Sequence, residues 1–507
     1  MASIKLSEYF SEIYERGKFP RFKVLINGEW TETSNKFDLV SPTDGKKTAE
    51  ISSVSEKDMR KTIDSAYASK IKIRSMAAID RIELMHVVMR GLEEHREEIA
   101  RALMAESGKP YKSASGEINA AIERIRLSMA DSRKIMGEYL PGDWSSDTSK
   151  KIALVIREPV GVVLGISPFN YSVYTSIAKI LPAILSGNSM ILKPPSSNPI
   201  AFLMCAEIFR KSGLPDGVLQ VITGPGEKTG DYLSSDDKIN MISFTGSTEV
   251  GKHIMTISGL KKTHMELGGK GTAVILEDAD IDLAAKECVK GSLELAGQRC
   301  DAISRILVVD SVAERFLDAV KKHLSDYKFG NPLEDDGVTI GPVISKKAAE
   351  RINKMVEDAV GRGAKLVSGG GHKDAYHEPT ILMDVPLTAE IANEETFGPV
   401  ITIIRVKDKE DAIRTANDSK YGLDSAVFTE NFYSAWETMK ALQVGNVTLN
   451  SAPSHGTSYF PFGGVKDSGS GKEGIGYSIE EMTNLKTIVL DLAPGHLGKE
   501  YTGKFKD

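Results

Sequence analysis

The sequence predicts an α/β fold, because short apolar runs alternate with helical segments through most of the chain after Val160. Strands are predicted over 160–166, 189–192, 219–222, 241–244 and 273–276, with helices over 172–185 and 199–211. Strands of this length separated by helices are typical of right-handed βαβ units and a parallel sheet. The alternation resumes after Cys300, near 304–309, 426–429 and 445–449, and indicates a second α/β domain.

The first part of the chain is predicted to be helical. Apolar residues recur at i, i+3, i+4 and i+7 from Met85 to Leu92, and Ser107-Gly108-Lys109-Pro110 supplies a stop signal. A second helical pattern follows through Ile118, Ile122 and Ile125.

Two further segments predict an extended arm. Residues 152–156 and 485–492 are apolar and strand-like. An uncovered strand edge invites pairing with another chain, so we expect a partner subunit to lie beside the second segment.

Composition limits the number of domains and the kinds of partner that the protein can have. The chain has 507 residues, 41% hydrophobic and 26% charged, with a net charge of −6. At roughly 150 residues a domain, this length allows about two to four domains. Acidic and basic residues are interspersed, which argues against a nucleic-acid partner and favours small molecules or copies of the same chain.

The compartment is predicted from cysteine usage and from apolar runs. Three cysteines in so long a chain argue against a disulfide framework and favour the cytoplasm. No apolar run approaches the roughly 18 residues of a membrane span, and the N-terminus lacks a signal-peptide pattern. The nine histidines show no metal-ligand spacing, so no metal site is expected.

Cys300 is the candidate nucleophile, in the segment Gly297-Gln298-Arg299-Cys300. A thiol attacks a carbonyl as its thiolate, and a resulting thioester needs activated water. Glu266, which opens the segment Glu266-Leu267-Gly268-Gly269, can supply the base. Without further motifs, a buried structural cysteine and an unrelated glutamate would be the better interpretation.

Three further motifs favour the chemical interpretation. They are Ser167-Pro168-Phe169-Asn170, Phe244-Thr245-Gly246-Ser247-Thr248-Glu249-Val250-Gly251 and Glu394-Glu395-Thr396-Phe397-Gly398-Pro399. In this order, between Ile26-Asn27-Gly28-Glu29-Trp30 and Pro461-Phe462-Gly463-Gly464, the chain resembles the aldehyde dehydrogenase superfamily. The surroundings of Cys300 and the segment 140–144 are most similar to non-phosphorylating glyceraldehyde-3-phosphate dehydrogenases of archaeal type.

The resemblance implies a fold and its division. It predicts an aldehyde-dehydrogenase-like α/β protein with a Rossmann-type cofactor domain over 1–139 and 160–267 and a second α/β catalytic domain over 268–482. Segments 140–159 and 483–507 would form a β oligomerisation arm. The resemblance favours a homotetramer, a dimer of dimers, although dimer and tetramer remain alternatives.

The resemblance also assigns the reaction. Cys300 would form a thiohemiacetal and then a thioester, Asn170 with the Cys300 backbone N–H would hold the oxyanion, and Glu266 would activate water. Relatives that pass the acyl group to coenzyme A generally lack this glutamate, so water is the expected acceptor. Glyceraldehyde 3-phosphate is the expected substrate. Free glyceraldehyde, a semialdehyde, or a non-catalytic use of the fold are the alternatives.

NADP is the expected cofactor, with NAD possible. Gly246 to Gly251 predict a tight turn at a helix N-terminus, where backbone N–H groups can meet a pyrophosphate. NAD-preferring relatives commonly carry a glutamate three residues after the matching lysine, but here Ser196 follows Lys193 and removes the repulsion of a 2′-phosphate. The expected cofactor residues are Ser167, Pro168, Phe169, Lys193, Ser196, Gly226, Phe244, Gly246, Ser247, Leu267, Gly268, Glu395 and Phe397.

A phosphorylated substrate needs cationic or polar partners, because a small apolar pocket cannot desolvate a dianion. Arg299 directly precedes the candidate nucleophile, and Tyr171 directly follows Asn170. His455 lies shortly before Pro461-Phe462-Gly463-Gly464, where related phosphate-using enzymes carry a cation. We therefore expect Asn170, Tyr171, Arg299 and His455 to border the substrate, with a loop histidine as the alternative for His455.

Overall fold

The structure is a computed structural model that describes residues 6–454 and 459–492. The α-helices of these residues are α1 (Glu56–Ser75), α2 (Ala78–Glu94), α3 (Arg96–Ser107), α4 (Tyr111–Asp131), α5 (Ser172–Leu185), α6 (Ile200–Lys211), α7 (Gly226–Ser235), α8 (Thr248–Ile257), α9 (Ile281–Leu293), α10 (Ala313–Leu324), α11 (Lys346–Gly361), α12 (Glu390–Asn393), α13 (Lys409–Asn417), α14 (Phe432–Ala441) and α15 (Tyr477–Glu481). Short 3-10 helices cover Glu8–Ile13, Ser132–Ile135, Glu294–Gly297 and Asp310–Val312.

The strands lie mostly after residue 150. They are β1 (Tyr14–Glu15), β2 (Arg21–Phe22), β3 (Val24–Ile26), β4 (Glu29–Thr31), β5 (Asn35–Val40), β6 (Lys47–Ser53), β7 (Glu138–Pro141), β8 (Lys151–Pro159), β9 (Val162–Ile166), β10 (Ser189–Lys193), β11 (Leu219–Val221), β12 (Met241–Thr245), β13 (Lys262–Glu266), β14 (Gly271–Ile275), β15 (Ile303–Val309), β16 (Lys365–Ser368), β17 (His372–Lys373), β18 (Tyr376–His377), β19 (Thr380–Met383), β20 (Val400–Val406), β21 (Tyr421–Gly422), β22 (Asp424–Phe428), β23 (Asn446–Leu449), β24 (Val465–Lys466), β25 (Gly469–Ser470) and β26 (Thr483–Asp491).

The first large sheet has eight strands in the order β25-β13-β12-β9-β10-β11-β3-β4. Its central strands β13, β12, β9, β10 and β11 are parallel. The βαβ pattern predicted β9, β10, β11 and β12 as members of a parallel sheet, but it did not predict β13. Both faces are covered. Met190 and Leu192 pack into the apolar cluster of α2 to α6, whereas Ile191 packs with α1, α7 and α8 on the other face. The apolar run Met190-Ile191-Leu192 in β10 therefore reflects burial on both sides.

The second large sheet has seven strands in the order β16-β19-β20-β15-β14-β22-β23. Its strands are parallel except for the β16–β19 pair. The sequence pattern grouped 273–276 with the strands before it. In the structure this segment is β14, which pairs with β15 and β22 in the second sheet, because local periodicity does not determine which strand is its neighbour. Strand β20 was not predicted.

The predicted arm is present as a three-stranded antiparallel sheet in the order β26-β8-β7. Strand β26 pairs with β8 over nine residues, from Thr483 opposite Pro159 to Asp491 opposite Lys151. Its other edge has no strand beside it among the described residues. The predicted helices in the first part of the chain are confirmed as α2, α3 and α4, and α3 ends at Gly108, which has the left-handed φ of 70° typical of a C-cap.

No helix in the described ranges combines the length and the apolar character needed to cross a membrane. The α/β fold class is confirmed, with two large, mainly parallel sheets and a separate β arm.

Candidate active site

The motifs meet at the carboxyl edge of the first sheet. In the parallel register, Lys193 lies opposite Ile166, and Thr245 lies opposite Glu266. The segments that follow β9, β10, β12 and β13 therefore leave the same edge, where ligands of open parallel sheets usually bind. Ser167, Lys193, Gly246 and Glu266 are brought together there, although they span about a hundred residues of sequence.

A strained turn presents Cys300. Leu295, Ala296 and Gly297 have φ values of 54°, 54° and 69°, a left-handed conformation that is costly for residues with a Cβ. Gly297 also has no room for a side chain, because an added Cβ would lie 2.1 Å from the carbonyl oxygen of Gly398. Strain that persists at a candidate nucleophile must be held in place by the surrounding structure.

Asn170 ties this turn to helix α5. Its side-chain amide donates to the carbonyl oxygen of Gln298 at 2.9 Å, two residues before Cys300, and its Oδ1 accepts from the N–H of Tyr171 at 3.1 Å. One amide hydrogen is thus used to position the segment that carries Cys300. The second hydrogen remains for a developing oxyanion.

A buried ion pair contacts the backbone of Asn170. Lys109 donates to the carbonyl oxygen of Asn170 at 2.7 Å and pairs with Glu117, and both side chains are almost fully buried. Glu117 also accepts from the N–H groups of Val173 and Tyr174, at 2.8 and 3.1 Å, and so caps α5 from another helix. Sequence reasoning noted Lys109 only as part of a helix stop and missed Glu117, since nothing local marks this long-range contact.

The surroundings of Cys300 favour the protonated thiol. Burial raises its pKa well above the usual value, and the negative charges of Asp301, Glu266 and Glu395 raise it further. A thiol in this setting needs help to lose its proton, because the attacking species is the thiolate.

Glu266 is the last residue of β13 rather than a helix-end acid, and its side chain is buried. Neither of its oxygens accepts a hydrogen bond of normal geometry from the described residues. Burial raises the pKa of the carboxyl, and His264 opposes the increase. A buried carboxyl of this kind has a pKa closer to neutrality and is suited to proton transfer.

Charged groups that the sequence reasoning did not identify surround Glu266. The charges of Lys179 and Glu473 act on it, and these two lie 3.7 Å apart. Lys179 also donates to Thr245 at 2.7 Å, beside Glu266 in the sheet register. His264 approaches from the same strand, with Nε2 3.2 Å from Glu266 Oε1. Only His264 had a local signal, since residues two apart on a strand face the same side.

Lys193 is the last residue of β10, and Ser196 lies in the loop that follows it. Lys193 is buried, and burial lowers its pKa to about 8. No carboxylate of the described chain lies within ion-pair distance of it, although buried cations are normally paired. Ser196 is half-buried and donates to the carbonyl oxygen of Gly224 at 2.8 Å. This edge therefore offers a cation without a counter-charge, a setting that fits a phosphate.

The predicted turn after β12 is also present. Ser247 caps α8, accepting from the N–H of Val250 at 3.4 Å, and Gly246 donates to the carbonyl oxygen of Glu266 at 3.1 Å. Phe244 is buried within β12, and Gly226 begins α7, which connects β11 to β12. The free N–H groups at the start of α8 can receive a pyrophosphate.

Residues from the second half of the chain complete the edge. Glu395 accepts from the N–H of Gly269 at 3.2 Å, and an added Cβ at Gly268 would lie 2.9 Å from its carboxylate. Burial raises the pKa of Glu395 to about 6. Phe397 packs edge-on against Phe169, with ring centroids 5.6 Å apart.

The remaining expected cofactor residues line the same region. Ser167 is buried and accepts from the Ser176 hydroxyl at 2.7 Å. Pro168 is half-buried in the loop between β9 and α5, and Leu267 is buried against the place where a Cβ on Gly251 would lie.

The structure brings Tyr171 and Arg299 together and also compensates the charge of Arg299. Its guanidinium donates to Asp301 at 3.0 and 2.7 Å and pairs with Glu294. Three of its five N–H donors are therefore engaged, and two remain. The sequence predicted Arg299 at the border of the substrate but did not reveal its pairing with these two carboxylates. His455 lies outside the described residues.

Within the described ranges, no group of three or more His, Cys, Asp or Glu side chains is placed to hold a metal ion.

The chain is similar in sequence to known proteins. Residues 30–488 match the model of the aldehyde dehydrogenase family. The chain is 40% identical over 474 residues to the NADP-dependent glyceraldehyde-3-phosphate dehydrogenase of Streptococcus equinus, covering 93% of this chain and 99% of that one. It is 35% identical to the 3-sulfolactaldehyde dehydrogenase of Priestia aryabhattai, covering 93% and 98%.

A solved structure gives the same result. The NADP-dependent glyceraldehyde-3-phosphate dehydrogenase of Bacillus halodurans C-125, complexed with NADP, superposes with a TM-score of 0.91 at 39% identity, covering 93% of this chain and 99% of that one. Because the match runs through every motif at this edge and through both large sheets, the chain belongs to the aldehyde dehydrogenase family.

Proposed function

We propose that this protein oxidises glyceraldehyde 3-phosphate to 3-phosphoglycerate with NADP, through a thioester on Cys300 and without an acyl phosphate. The observation that carries the proposal is the convergence of a thiol, a buried carboxylate and an amide at one sheet edge. The charge of Glu266 acts on the Cys300 thiol, and the Asn170 amide holds the segment just before it. Similarity to glyceraldehyde-3-phosphate dehydrogenases over 93% of the chain supports the substrate.

The chemistry follows from these three groups. The Cys300 thiol loses its proton to solvent, and the thiolate attacks the aldehyde carbon. The resulting alkoxide is stabilised by the free amide hydrogen of Asn170 and the Cys300 backbone N–H. NADP, when bound, accepts the hydride whose loss turns the adduct into a thioester. Glu266 then removes a proton from water as the water attacks the thioester, and Cys300 is released.

NADP is favoured over NAD by Lys193 and Ser196. A buried cation without a carboxylate partner can bind a 2′-phosphate, and a hydroxyl at position 196 leaves that phosphate unopposed. The helix N-terminus at Ser247 would receive the pyrophosphate, and Glu395 would hold the nicotinamide ribose with Phe397 against the ring.

The paired state of Arg299 favours a second candidate substrate. Two carboxylates already neutralise its charge, which suits an aldehyde without a phosphate, such as glyceraldehyde or a semialdehyde. The two unengaged N–H donors support the phosphate instead. An aldehyde panel assayed with both cofactors decides between these substrates.

The domain division and the assembly are part of the proposal. Residues 1–139 and 160–267 would form the cofactor domain around the first sheet, and 268–482 the catalytic domain around the second. The arm of 140–159 and 483–507 would build a homotetramer, as the exposed apolar side chains of β26 suggest. The three cysteines are free, which supports a cytoplasmic enzyme.

Replacing Glu266 by Gln tests the reaction. Acylation should proceed and hydrolysis should not, so we expect a burst of reduced cofactor followed by slow turnover. Intact-mass spectrometry should detect the acyl group on the protein, and Cys300→Ala should show neither burst nor adduct. Unchanged turnover of Glu266→Gln with no trapped adduct would contradict the role of Glu266.

A further inference from the structure

His264 lies directly beside the proposed base. It precedes Glu266 by two residues on β13, so both side chains face the same side of the sheet. Both are buried, with 3% and 4% of their surface exposed. The Nε2 atom of His264 is 3.2 Å from Glu266 Oε1, within ion-pair distance but outside hydrogen-bond geometry. The interaction between them is therefore mainly one of charge.

A second carboxylate holds the other side of the ring. Nδ1 of His264 is 2.5 Å from Oε2 of Glu481, in helix α15. The remaining oxygen of Glu481 accepts from the backbone N–H of Lys472 at 3.0 Å. Glu481 is one-third exposed, so this carboxylate reaches solvent whereas Glu266 does not.

The backbone leaves room for this contact at Gly471. An added Cβ there would lie 2.7 Å from Nδ1 of His264 and 2.9 Å from Oε1 of Glu481. Gly471 also has a φ of 94°, which residues with a side chain rarely adopt. The approach of ring and carboxylate thus depends on a glycine.

A buried histidine is normally neutral, because burial disfavours its charged form. His264 differs, since it lies between two carboxylates. Burial lowers its pKa, but Glu266 and Glu481 outweigh that effect and raise it to about 9. An imidazolium in this position lowers the pKa of Glu266, because a nearby positive charge favours the ionised carboxylate.

We propose that His264, kept charged by Glu481, is a positioning residue that holds Glu266 ionised and ready to take a proton from water. This inference rests on the proposed function, in which Glu266 is the base of thioester hydrolysis. Without His264, the buried carboxyl would be protonated over more of the neutral range and would be inactive as a base there.

Other charged groups around Glu266 do not replace His264. Lys179, from α5, adds a positive charge, but it also lies 3.7 Å from Glu473, whose negative charge raises the pKa of Glu266. Burial raises the pKa of the Cys300 thiol, which favours its uncharged form. His264 is the cation within 4 Å of the Glu266 carboxylate among the described residues.

The test follows hydrolysis of an acetyl-enzyme, which needs neither aldehyde nor cofactor. The full-length protein is acetylated with p-nitrophenyl acetate, freed of reagent, and followed by intact-mass spectrometry from pH 5 to 10, with Cys300→Ala to identify the adduct. For the unmodified sequence, we expect the hydrolysis rate to rise with pH to a plateau as Glu266 ionises. His264→Gln should move the midpoint up by about one to three pH units, the range expected for loss of an adjacent opposite charge.

Matched variants separate this effect from altered folding. Glu481→Gln should shift the midpoint in the same direction, because the imidazolium loses its second carboxylate. Because Glu481 is partly exposed, this variant should fold even if His264→Gln does not. Its midpoint then tests the role of His264. His377→Gln, at another buried histidine on β18, should leave the midpoint unchanged.

The outcomes distinguish the inference from the proposed function. If Glu266→Gln hydrolyses the acetyl-enzyme at the unmodified rate, Glu266 is not the base and the proposed function fails. If Glu266→Gln is impaired while His264→Gln and Glu481→Gln keep the original midpoint, only the role of His264 is overturned.

Discussion

The charged side chains at the candidate site differ in whether an oppositely charged group lies beside them. Arg299 has two carboxylate partners and His264 has two, whereas Lys193 has none within ion-pair distance among the described residues. A charged group with partners is already stabilised by the protein. One without them has most to gain from a ligand of opposite charge.

Lys193 should make the preference for NADP depend on pH. Its pKa of about 8 means that it is charged below pH 8 and neutral above it, so the affinity for NADP relative to NAD should fall between pH 7 and pH 9.5. Bound phosphate would move this change to higher pH without altering its sign. Calorimetric titration of both cofactors measures the ratio of their Kd values.

Two variants serve as controls for the Lys193 prediction. Lys193→Met should weaken NADP binding about 10- to 150-fold, equivalent to about 1.5–3 kcal/mol for one charge-assisted contact, and should remove the pH dependence. Ser196→Glu should act in the same direction by placing a negative charge near the phosphate. A pH-independent ratio for the unmodified protein would show that Lys193 does not contact the 2′-phosphate.

Arg299→Ala should raise KM for glyceraldehyde 3-phosphate more than KM for glyceraldehyde. Losing one charge-assisted contact corresponds to about 1.5–3 kcal/mol. Glu294→Gln is the informative partner, because it removes a carboxylate that competes with the substrate phosphate for the guanidinium. It should lower KM for the phosphorylated aldehyde and leave that for glyceraldehyde unchanged. Equal effects on both aldehydes would separate Arg299 from phosphate recognition.

At the scale of elements, buried acids on one helix cap the start of another. Glu106 of α3 accepts from the N–H groups of Ile200 and Ala201 at 2.7 and 2.9 Å, where α6 begins without a side-chain cap of its own. Glu117 of α4 does the same for α5. These contacts satisfy helix-end donors that would otherwise be buried without partners, and they fix α5 against the segment that carries Asn170.

Glu117→Gln should destabilise the protein by about 3 kcal/mol, because it leaves the buried Lys109 ammonium without a counter-charge. The control lies on the same helix: Glu123 pairs with Arg126 at the surface, and Glu123→Gln should cost less than about 1 kcal/mol. Thermal unfolding followed by circular dichroism compares the two. Equal melting temperatures would mean that the Lys109–Glu117 pair adds no stability.

At the scale of the whole molecule, the arm leaves apolar side chains without a covering surface in a single chain. Leu485 and Val489 are exposed by 62% and 57%, and they share one face of β26 with Leu140 and Ala153 on the neighbouring strands. Exposed apolar area of this kind on a strand edge is characteristic of a subunit interface.

Val489→Asp should therefore lower the molar mass of the assembly in solution, since burying a carboxylate in an apolar interface is unfavourable. Leu260→Asp is the matched control, because Leu260 is fully exposed and isolated in a turn. Analytical ultracentrifugation reports the masses. If Val489→Asp has the same mass as the unmodified protein, the arm is not the interface that holds the subunits together.

The sequence by itself determined the fold class, the helices from α2 to α6, most strands around the site and the residues that reach its edge. These features are encoded locally: strand and helix periods, glycine at left-handed positions, and motifs whose residues follow strand ends. The sequence could place Asn170, Lys193, Gly224 and Gly246 at one edge, because each follows a predicted strand and parallel strands share a carboxyl end. It did not place Glu266 there, since β13, which ends at Glu266, was not predicted.

Only the tertiary structure decided which strand lies beside which and which charge faces which. It placed β14 in the second sheet and neutralised Arg299 with Glu294 and Asp301. It also placed Glu117 at the start of α5 and Glu481 against His264. The sequence could not reveal the contact of Glu117 with Val173 or that of His264 with Glu481, because these residues are 56 and 217 positions apart. Their energy depends on burial and distance, which exist only once the chain has folded.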